Sequence, residues 1–327
     1  MPVTERSVRR KEDKEKTPSV FIDANVLASK TQLDWLYFLT KENPGMYELY
    51  TSRQVLEETT RKFIRRVDKV SNPTEEQRDF LNTKIDEVLA GRGTSLNSAD
   101  GRTKGEQAAI ARLKLISYVF APKNIFGEDL NQGDRSGFTG KDPDDFHVHN
   151  GAIQSSAKYL VTNNRETDFT TTPGEEDYDV ITPDQLFIDI FEANPSCLLP
   201  IMEQQQDYWL NSRRDMNKTM DQALRDAGCL DFAQEVKEKL PELKQQHPEL
   251  FPPRNDGLDR GSIRQVESEQ ELFQNEGLAG ELIEGGPWNG EGLDTSTASQ
   301  ISPEHPQDNP LTNSQDNSNE QPRGLST

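Results

Sequence analysis

The segment Val20-Phe21-Ile22-Asp23-Ala24-Asn25 most narrowly limits what this chain can fold into. Three consecutive apolar residues predict a short buried strand, and the apolar spacing after them predicts a helix that begins at once. Asp23 therefore lies where a strand ends, and in open α/β sheets ligands bind beyond the carboxyl ends of the strands. Two interpretations follow for Asp23: it caps the next helix, or it is a carboxylate placed for chemistry.

The same order of strand and helix recurs along the chain. Further strands are predicted at 47–52, 158–162 and 178–182, and helices at 74–89, at 104–116 and after residue 183. Strands that alternate with helices indicate a mostly parallel sheet. The predicted fold class is therefore α/β.

Acidic residues recur where these predicted strands end. Glu58 lies in a helix that Ser52 is expected to cap, and Asp142, Asp144 and Asp145 precede an apolar helix. In a parallel sheet these positions share one edge, so their carboxylates converge and repel one another. Either one or more of them stays protonated or a multivalent cation lies between them, and oxygen ligands suit Mg²⁺ or Mn²⁺. The residues alone therefore favour metal-dependent phosphoryl chemistry, by a phosphodiesterase or a phosphatase.

These residues resemble the PIN-domain ribonucleases, and among them the VapC-type toxins of bacterial toxin–antitoxin pairs. The resemblance runs from about residue 19 to 182, and its most specific piece is Asp142-Pro143-Asp144-Asp145-Phe146-His147-Val148. Val161-Thr162-Asn163-Asn164 and Asp168-Phe169 follow this piece. The resemblance implies a three-layer α/β/α domain, RNA as the substrate, Mg²⁺ or Mn²⁺ as the cofactor, a cognate antitoxin as a partner, and a homodimer.

Carried over residue by residue, the resemblance makes four acids both metal ligands and catalytic groups: Asp23, Glu58, Asp145 and Asp168. Asp168 departs from the family pattern, because one extra residue stands between it and Asn164. Many members of the family carry an Asp at the position of Asn164. Four more residues would orient the ligands or water: Asn25, Asp142, Thr162 and Asn164.

Each of these assignments has a plainer alternative. Glu58 can belong to a solvated helix face, and Asp145 can cap a helix and interact with its dipole. His147 and His149 lie two residues apart on a predicted helix and point away from each other. This spacing favours packing or hydrogen bonding over metal binding for His147.

The charge of the chain is unevenly distributed. Of 327 residues only 32% are hydrophobic, and the net charge is −20. Residues 265–327 contain 12 acidic residues and one basic residue, which makes a net charge of −11. This composition predicts a disordered acidic tail at 251–327, and a disordered leader is predicted at 1–18. The expected domains between them are a nuclease-like domain at 19–190 and a helical extension at 191–250.

Net acidity argues against a nonspecific binder of nucleic acid, but the argument weakens once the tail is set apart. Three basic residues near Glu58 are then candidates for contacts with RNA phosphates: Arg53, Arg61 and Arg65. Arg61 and Arg65 share a helix face. The alternative is a basic solvated face paired with neighbouring acids.

Other classes of protein are disfavoured by what the sequence lacks. Cys197 and Cys229 fit neither a metal spacing nor a disulfide framework, which agrees with a reducing cytoplasm. The charged N-terminal segment is not a signal peptide, and no apolar run is long enough to span a membrane. Glycine-rich phosphate loops, G-x-S-x-G and H-E-x-x-H are absent.

The sequence therefore predicts a cytoplasmic, Mg²⁺- or Mn²⁺-dependent endoribonuclease that acts as the toxin of a toxin–antitoxin pair. The first alternative is a PIN-like module that has lost catalysis and binds RNA or a protein partner. The second is a small-molecule phosphatase, which would need a second Asp two residues after Asp23, where Asn25 stands.

Overall fold

The computed structural model of the chain describes residues 17–132, 135, 137–211 and 218–251. Five strands form a sheet in which all neighbouring strands run parallel. Their order across the sheet is β3-β2-β1-β4-β5. In chain order the strands are β1 (Ser19–Ile22), β2 (Glu48–Ser52), β3 (Ile125–Phe126), β4 (Tyr159–Val161) and β5 (Asp179–Ile181).

Helices connect these strands and flank the sheet. The connections as far as β3 contain α1 (Ala24–Ala28), α2 (Lys30–Glu42), α3 (Arg53–Val67), α4 (Glu75–Leu89) and α5 (Lys104–Val119). Those from β3 to β5 contain α6 (Phe146–Gln154) and the short α7 (Glu166–Phe169). After β5 come α8 (Pro183–Ala193), α9 (Leu198–Asn211), α10 (Met220–Asp226) and α11 (Leu230–Gln246). The α/β class and the parallel sheet are therefore confirmed.

The apolar runs predict four of the five strands, and β3 is the exception. A strand of two residues carries no alternation that a sequence pattern could reveal. It forms because Ile125 pairs with Thr51 and Phe126 pairs with Ser52 of β2. The ring of Phe126 also stacks on that of Tyr50, with the ring centroids 5.9 Å apart. Tertiary pairing, rather than local preference, therefore makes this edge strand.

The helices after β5 share their hydrophobic core with the sheet. Phe232 of α11 packs edge-on against Trp35 of α2, with the ring centroids 5.0 Å apart. The ring of Phe187 of α8 packs against the same Phe232, with the centroids 5.5 Å apart. The carboxylate of Asp184 accepts hydrogen bonds from the backbone amides of Asp231 and Phe232, which begin α11. The part of the predicted extension at 191–250 that the structure describes is thus built into the same core. Residues 1–16 of the predicted leader at 1–18, and residues 252–327 of the predicted tail at 251–327, lie outside the described residues.

The strand order changes direction beside β1. The chain moves outward from β1 to β2 and β3, and then returns to place β4 on the other side of β1. In this register Ile22 is the partner of Val161, so the carboxyl ends of the two strands lie side by side. Connecting helices diverge at such a point and leave a crevice in which ligands bind. Asp23 and Thr162 are the first residues after these two strands.

One glycine of α6 is required by the close approach of this helix to β1. A Cβ atom added to Gly151 would lie 2.3 Å from Cε2 and Cζ of Phe21, whose side chain is fully buried. We expect Gly151→Ala to lower the free energy of unfolding by about 1–3 kcal/mol, because a close-packed core cannot easily accommodate the methyl group. Urea denaturation monitored by circular dichroism measures this change.

Gly127→Ala is the matched control, because a Cβ atom there meets only Leu89 Cδ1, at 4.0 Å. This variant should unfold at a urea concentration close to that of the wild type. Equal stability of the Gly151 and Gly127 variants would contradict the close packing of α6 on β1.

Candidate functional site

The hydroxyl group of Thr162 joins the ends of β1 and β4. It donates a hydrogen bond to Asp23 Oδ2 at 2.7 Å. It also accepts two hydrogen bonds, from Asn25 Nδ2 and from the backbone amide of Asn164, each at 3.0 Å. A threonine hydroxyl offers one donor and two acceptor positions, so its hydrogen-bonding capacity is fully used. Thr162 is completely buried.

Asp23 is held at the end of β1 by both of its carboxylate oxygens. Oδ1 accepts a hydrogen bond from the backbone amide of Ala24 at 2.5 Å, so Asp23 does cap α1. Oδ2 accepts from Thr162, and the side chain is only 2% exposed. Burial raises the pKa of Asp23, the charge of Glu58 raises it further, and the hydrogen bond from Thr162 acts against both. The capping and chemical interpretations are therefore compatible in one side chain.

Asp145 reaches the same place from the residues just before α6. Its Oδ2 accepts a hydrogen bond from Asn164 Nδ2 at 3.0 Å, and the residue is 9% exposed. Burial, followed by the charge of Asp23, raises the pKa of Asp145 to about 7, with smaller contributions from Asp142 and Glu58. An Asp whose pKa rises because of other acids lies close to them. Asp145 is thus linked to Asp23 by the charge of Asp23 and by hydrogen bonds that run through Asn164 and Thr162.

Asp142 and Asp144 belong to the turn that presents Asp145. Residues 143–145 form one turn of 3₁₀ helix, and Asp142 Oδ1 caps it by accepting from the backbone amide of Asp144 at 2.9 Å. Both side chains are exposed. Asp142 therefore positions Asp145 through the backbone, and its charge adds to the raised pKa of Asp145.

Glu58 on α3 is the third acid of the group. Ser52 caps this helix by accepting a hydrogen bond from the amide of Val55, as the sequence predicts. Glu58 Oε1 forms an ion pair with Lys62 Nζ at 2.8 Å, one helical turn further on. The Glu58 side chain is 29% exposed, yet its charge raises the pKa of both Asp23 and Asp145. Glu58 therefore interacts electrostatically with the other two acids, although part of its side chain is exposed to solvent.

The structure does not join Asp168 to these three acids. Asp168 Oδ2 accepts a hydrogen bond from the backbone amide of Arg165 at 3.1 Å, which caps the short helix α7. The charges that raise the pKa values of Asp23 and Asp145 include that of Glu58 but not that of Asp168. The extra residue after Asn164 is consistent with this arrangement, in which the carboxylate serves its own helix.

The three candidate arginines differ in how they are engaged. Arg53 forms ion pairs with Glu57 at 3.0 Å and with Asp86 at 2.5 Å, so its guanidinium already has two acidic partners. Arg61 and Arg65 are exposed on α3, and Arg61 Nε donates to the backbone oxygen of Glu57. Lys62 is a further cation of this region that the sequence motifs do not identify. Its charge lowers the pKa of Asp23, and its position four residues after Glu58 is the sequence feature that predicts their ion pair.

Gln32 of α2 is a second residue that no motif reveals. It exchanges two amide hydrogen bonds with Asn163, each at 2.9 Å, and its Nε2 also donates to the backbone oxygen of Ala227 at 2.7 Å. Asn25 Oδ1 accepts from the amide of Asn163 at 3.0 Å. The loop that carries Asn164 is therefore held by α2 and by the turn between α10 and α11.

The three acids fit a hydrated cation better than a closed metal cage. Burial, followed by the charge of a neighbouring acid, raises the pKa values of Asp23 and Asp145, and a bound cation would act against both effects. In the part of the chain that the structure describes, no three Asp, Glu, His or Cys side chains are close enough to form a ligand set. Mg²⁺ commonly keeps several waters and uses only one or two carboxylates.

Comparisons with protein-family models, with curated proteins and with solved structures found no match to this chain. Within the described ranges, every helix is too short or too polar to cross a membrane. The function therefore has to be argued from the geometry of the acids and their neighbours.

The Thr162 hydroxyl supports three polar groups, so its removal should be costly. We expect Thr162→Val to lower the free energy of unfolding by at least about 1–3 kcal/mol, because buried groups on Asp23, Asn25 and Asn164 lose a partner. Thr162→Ser keeps the hydroxyl and should cost only about 0.8 kcal/mol for the lost methyl group. Urea denaturation at pH 7 compares the two variants, and equal losses would contradict the role of the hydroxyl.

The raised pKa of Asp145 implies that the stability of the metal-free protein depends on pH. This pKa is about 7 in the folded protein, against an ordinary value of 3.8, so the folded state binds this proton more tightly than the unfolded state. The metal-free protein should therefore lose stability as the pH rises from about 4 to about 7. Asp145→Asn cannot ionise and should be more stable than wild type at pH 8, by about 1–4 kcal/mol at roughly 1.4 kcal/mol per pKa unit.

Thermal unfolding in EDTA at pH 4 and pH 8 measures this difference, which should vanish at pH 4. The exposed neighbour Asp144 supplies the control, and Asp144→Asn should match the wild type at both pH values. A stability gain for Asp145→Asn that is the same at both pH values would refute the electrostatic explanation.

Proposed function

We propose that this chain is a metal-dependent endoribonuclease of the PIN type, with a three-layer α/β/α domain, that acts as the toxin of a toxin–antitoxin pair. The observation that supports the proposal is the electrostatic interaction among three acids near the switch in strand order, because the charge of Glu58 raises the pKa of Asp23 and of Asp145, and the charge of Asp23 raises the pKa of Asp145. These are three of the four acids that the resemblance to PIN-domain ribonucleases assigns to the site.

The acids come from three separate parts of the chain, which supports a functional rather than a local structural role. Asp23 follows β1, Glu58 lies on α3, and Asp145 precedes α6. Helix capping explains one hydrogen bond of Asp23, but it does not require two further carboxylates nearby. Burying acids close to one another has an energetic cost that a fold without a cationic ligand has no reason to retain.

In this proposal one or two of Asp23, Glu58 and Asp145 would bind Mg²⁺ or Mn²⁺ directly and the rest through its bound water, and the ion's charge would stabilise the phosphodiester and activate water for hydrolysis. Thr162 keeps Asp23 in place, and Asn164 does the same for Asp145. These hydrogen bonds fix the carboxylates before a ligand arrives, which lowers the cost of binding. The buried side of the site also limits the water that reaches the acids.

Cationic side chains on α3 would bind the RNA backbone. Lys62 already acts electrostatically on Asp23, and Arg61 and Arg65 are exposed on the same helix. Arg53 is a weaker candidate than the sequence indicates, because a phosphate would have to compete with Glu57 and Asp86 for its guanidinium. The cognate antitoxin, the homodimer and the cytoplasmic location are parts of the proposal that the resemblance alone supports.

A PIN-like module that binds RNA or a protein partner without cleavage is the second candidate. Two observations favour it: Asn164 stands where many members of the family carry an acid, and Asp168 caps its own helix. Such a site would have three acids instead of four. Cleavage assays distinguish the two candidates directly.

Asp23→Asn tests the proposal, because it removes one charge while keeping the shape of the side chain. RNA cleavage with Mn²⁺ should fall by more than about 100-fold, since even the residues that support a metal site commonly contribute 10- to 100-fold. EDTA should reduce the wild type to the same level. Gel analysis of a labelled RNA measures both effects, and induced expression in bacteria should arrest growth with the wild type but not with Asp23→Asn.

Asp144→Asn is the matched control, because it removes an exposed acid next to Asp145. It should cleave RNA at the rate of the wild type. Full activity of Asp23→Asn, or activity of the wild type that EDTA leaves intact, would exclude a metal-dependent nuclease at this site. Binding of RNA without cleavage by the wild type would support the second candidate.

A further inference from the structure

His147 is the second residue of α6 and lies two positions after Asp145. It is only 7% exposed. Its Nδ1 atom lies 2.9 Å from the backbone oxygen of Asp144. Because a carbonyl oxygen can only accept a hydrogen bond, Nδ1 carries a proton, and in the neutral form of the ring Nε2 presents a lone pair.

The Nε2 atom of His147 is buried and has no hydrogen-bond partner in the described part of the chain. It faces Glu58 Oε2 at a distance of 3.9 Å. This separation is too long for a hydrogen bond, and a nitrogen lone pair and a carboxylate oxygen repel each other. The other oxygen of Glu58 is already paired with Lys62, so Oε2 is the atom left for a ligand.

A cation between the two atoms would satisfy both. Bonds from Zn²⁺ to histidine nitrogen or carboxylate oxygen are about 2.0–2.2 Å long, and at such lengths two ligand atoms lie about 3.0 Å apart in adjacent positions and about 4.2 Å apart in opposite positions. The observed 3.9 Å lies between these separations, so a small shift of either side chain would let both atoms bind one ion. Histidines that bind metals almost always donate their other ring N–H to a carbonyl or carboxylate oxygen, as His147 does.

The other described histidines are engaged differently. His149 forms a hydrogen bond of 2.7 Å with the hydroxyl of Tyr178 and packs against aromatic rings. His247 lies 3.2 Å from Glu249 and 3.5 Å from Glu203, and 30% of its side chain is exposed. Of these three histidines, only His147 combines burial with an unpartnered ring nitrogen next to the acids of the site.

We propose that His147 Nε2 and Glu58 together bind the cation, and that the site therefore prefers Mn²⁺ to Mg²⁺. The preference follows from the nitrogen ligand, because Mg²⁺ favours oxygen ligands whereas first-row transition ions accept imidazole. This inference rests on the proposed function in one respect, which is that both place a cation beside Glu58. It departs from the packing role that the sequence favours for His147.

Pulsed electron paramagnetic resonance of Mn²⁺ bound to the full chain tests the proposal directly. A histidine nitrogen bound to Mn²⁺ modulates the electron spin echo through its ¹⁴N nucleus, and oxygen ligands do not. We expect this modulation in the wild type and its loss in His147→Asn. Asparagine can still donate from Nδ2 to the Asp144 oxygen, but it has no atom at the position of Nε2.

Ion affinity supplies a second readout. His147→Asn should bind Mn²⁺ at least about tenfold more weakly, while its affinity for Mg²⁺, measured by competition, should change less than about threefold. His247→Asn is the matched control, and it should keep both the modulation and the Mn²⁺ affinity. Circular dichroism confirms that each variant is folded, and His147→Gln replaces His147→Asn if the latter unfolds.

The outcomes separate this inference from the proposed function. Mn²⁺ that binds to the wild type without ¹⁴N modulation overturns the inference before any variant is needed. If Mn²⁺ binding depends on Asp23 but not on His147, the inference fails and the proposed nuclease site stands. If the modulation is lost in His247→Asn instead, the ion occupies another site and the inference is wrong. Loss of RNA cleavage in Asp23→Asn is measured separately and does not depend on which ligand His147 provides.

Discussion

The hydrogen bond from Thr162 to Asp23 is the contact on which the arrangement of the site depends. It connects the ends of β1 and β4, which become neighbours only because the chain returns past β1 after β3. The same hydroxyl accepts from Asn25 and from the amide of Asn164, whose side chain in turn donates to Asp145. A single buried hydroxyl thus determines the relative positions of the two acids. The network is fully satisfied, and such networks make a structure rigid and specific.

The buried acids of the site destabilise the folded state, and groups that destabilise a fold are indications of function. Burial raises the pKa values of Asp23 and Asp145, the charge of Glu58 raises both further, and the charge of Asp23 adds to the shift of Asp145. Lys62 compensates in part, because its charge pairs with Glu58 and also lowers the pKa of Asp23. Proteins tolerate destabilising groups of this kind chiefly where function requires them. The Nε2 atom of His147 is a second indication of function, because a buried polar atom without a hydrogen-bond partner also lowers the stability of the fold.

The helices after the sheet also support the site. Phe232 joins the core beside Trp35, and the backbone oxygen of Ala227 accepts a hydrogen bond from Gln32. Gln32 pairs with Asn163 in the loop that follows β4. Removal of these helices would therefore expose apolar surface and release one restraint on the loop of Asn164. Residues on both sides of the predicted boundary at 190 belong to one hydrophobic cluster.

The sequence by itself determined the parallel sheet and four of its strands, and it predicts that Asp23, Glu58 and Asp145 lie near one edge of that sheet. Apolar runs identify buried strands, and the carboxyl ends of parallel strands always share an edge, so these features need no knowledge of side-chain contacts. Only the tertiary structure decided that β3 forms, that Asp168 caps α7, that Arg53 is engaged by two acids, and that His147 presents an open nitrogen to Glu58. The reason is physical: these features depend on contacts between residues far apart in sequence, or on which of several nearby partners a side chain chooses. Local sequence patterns carry no information about either.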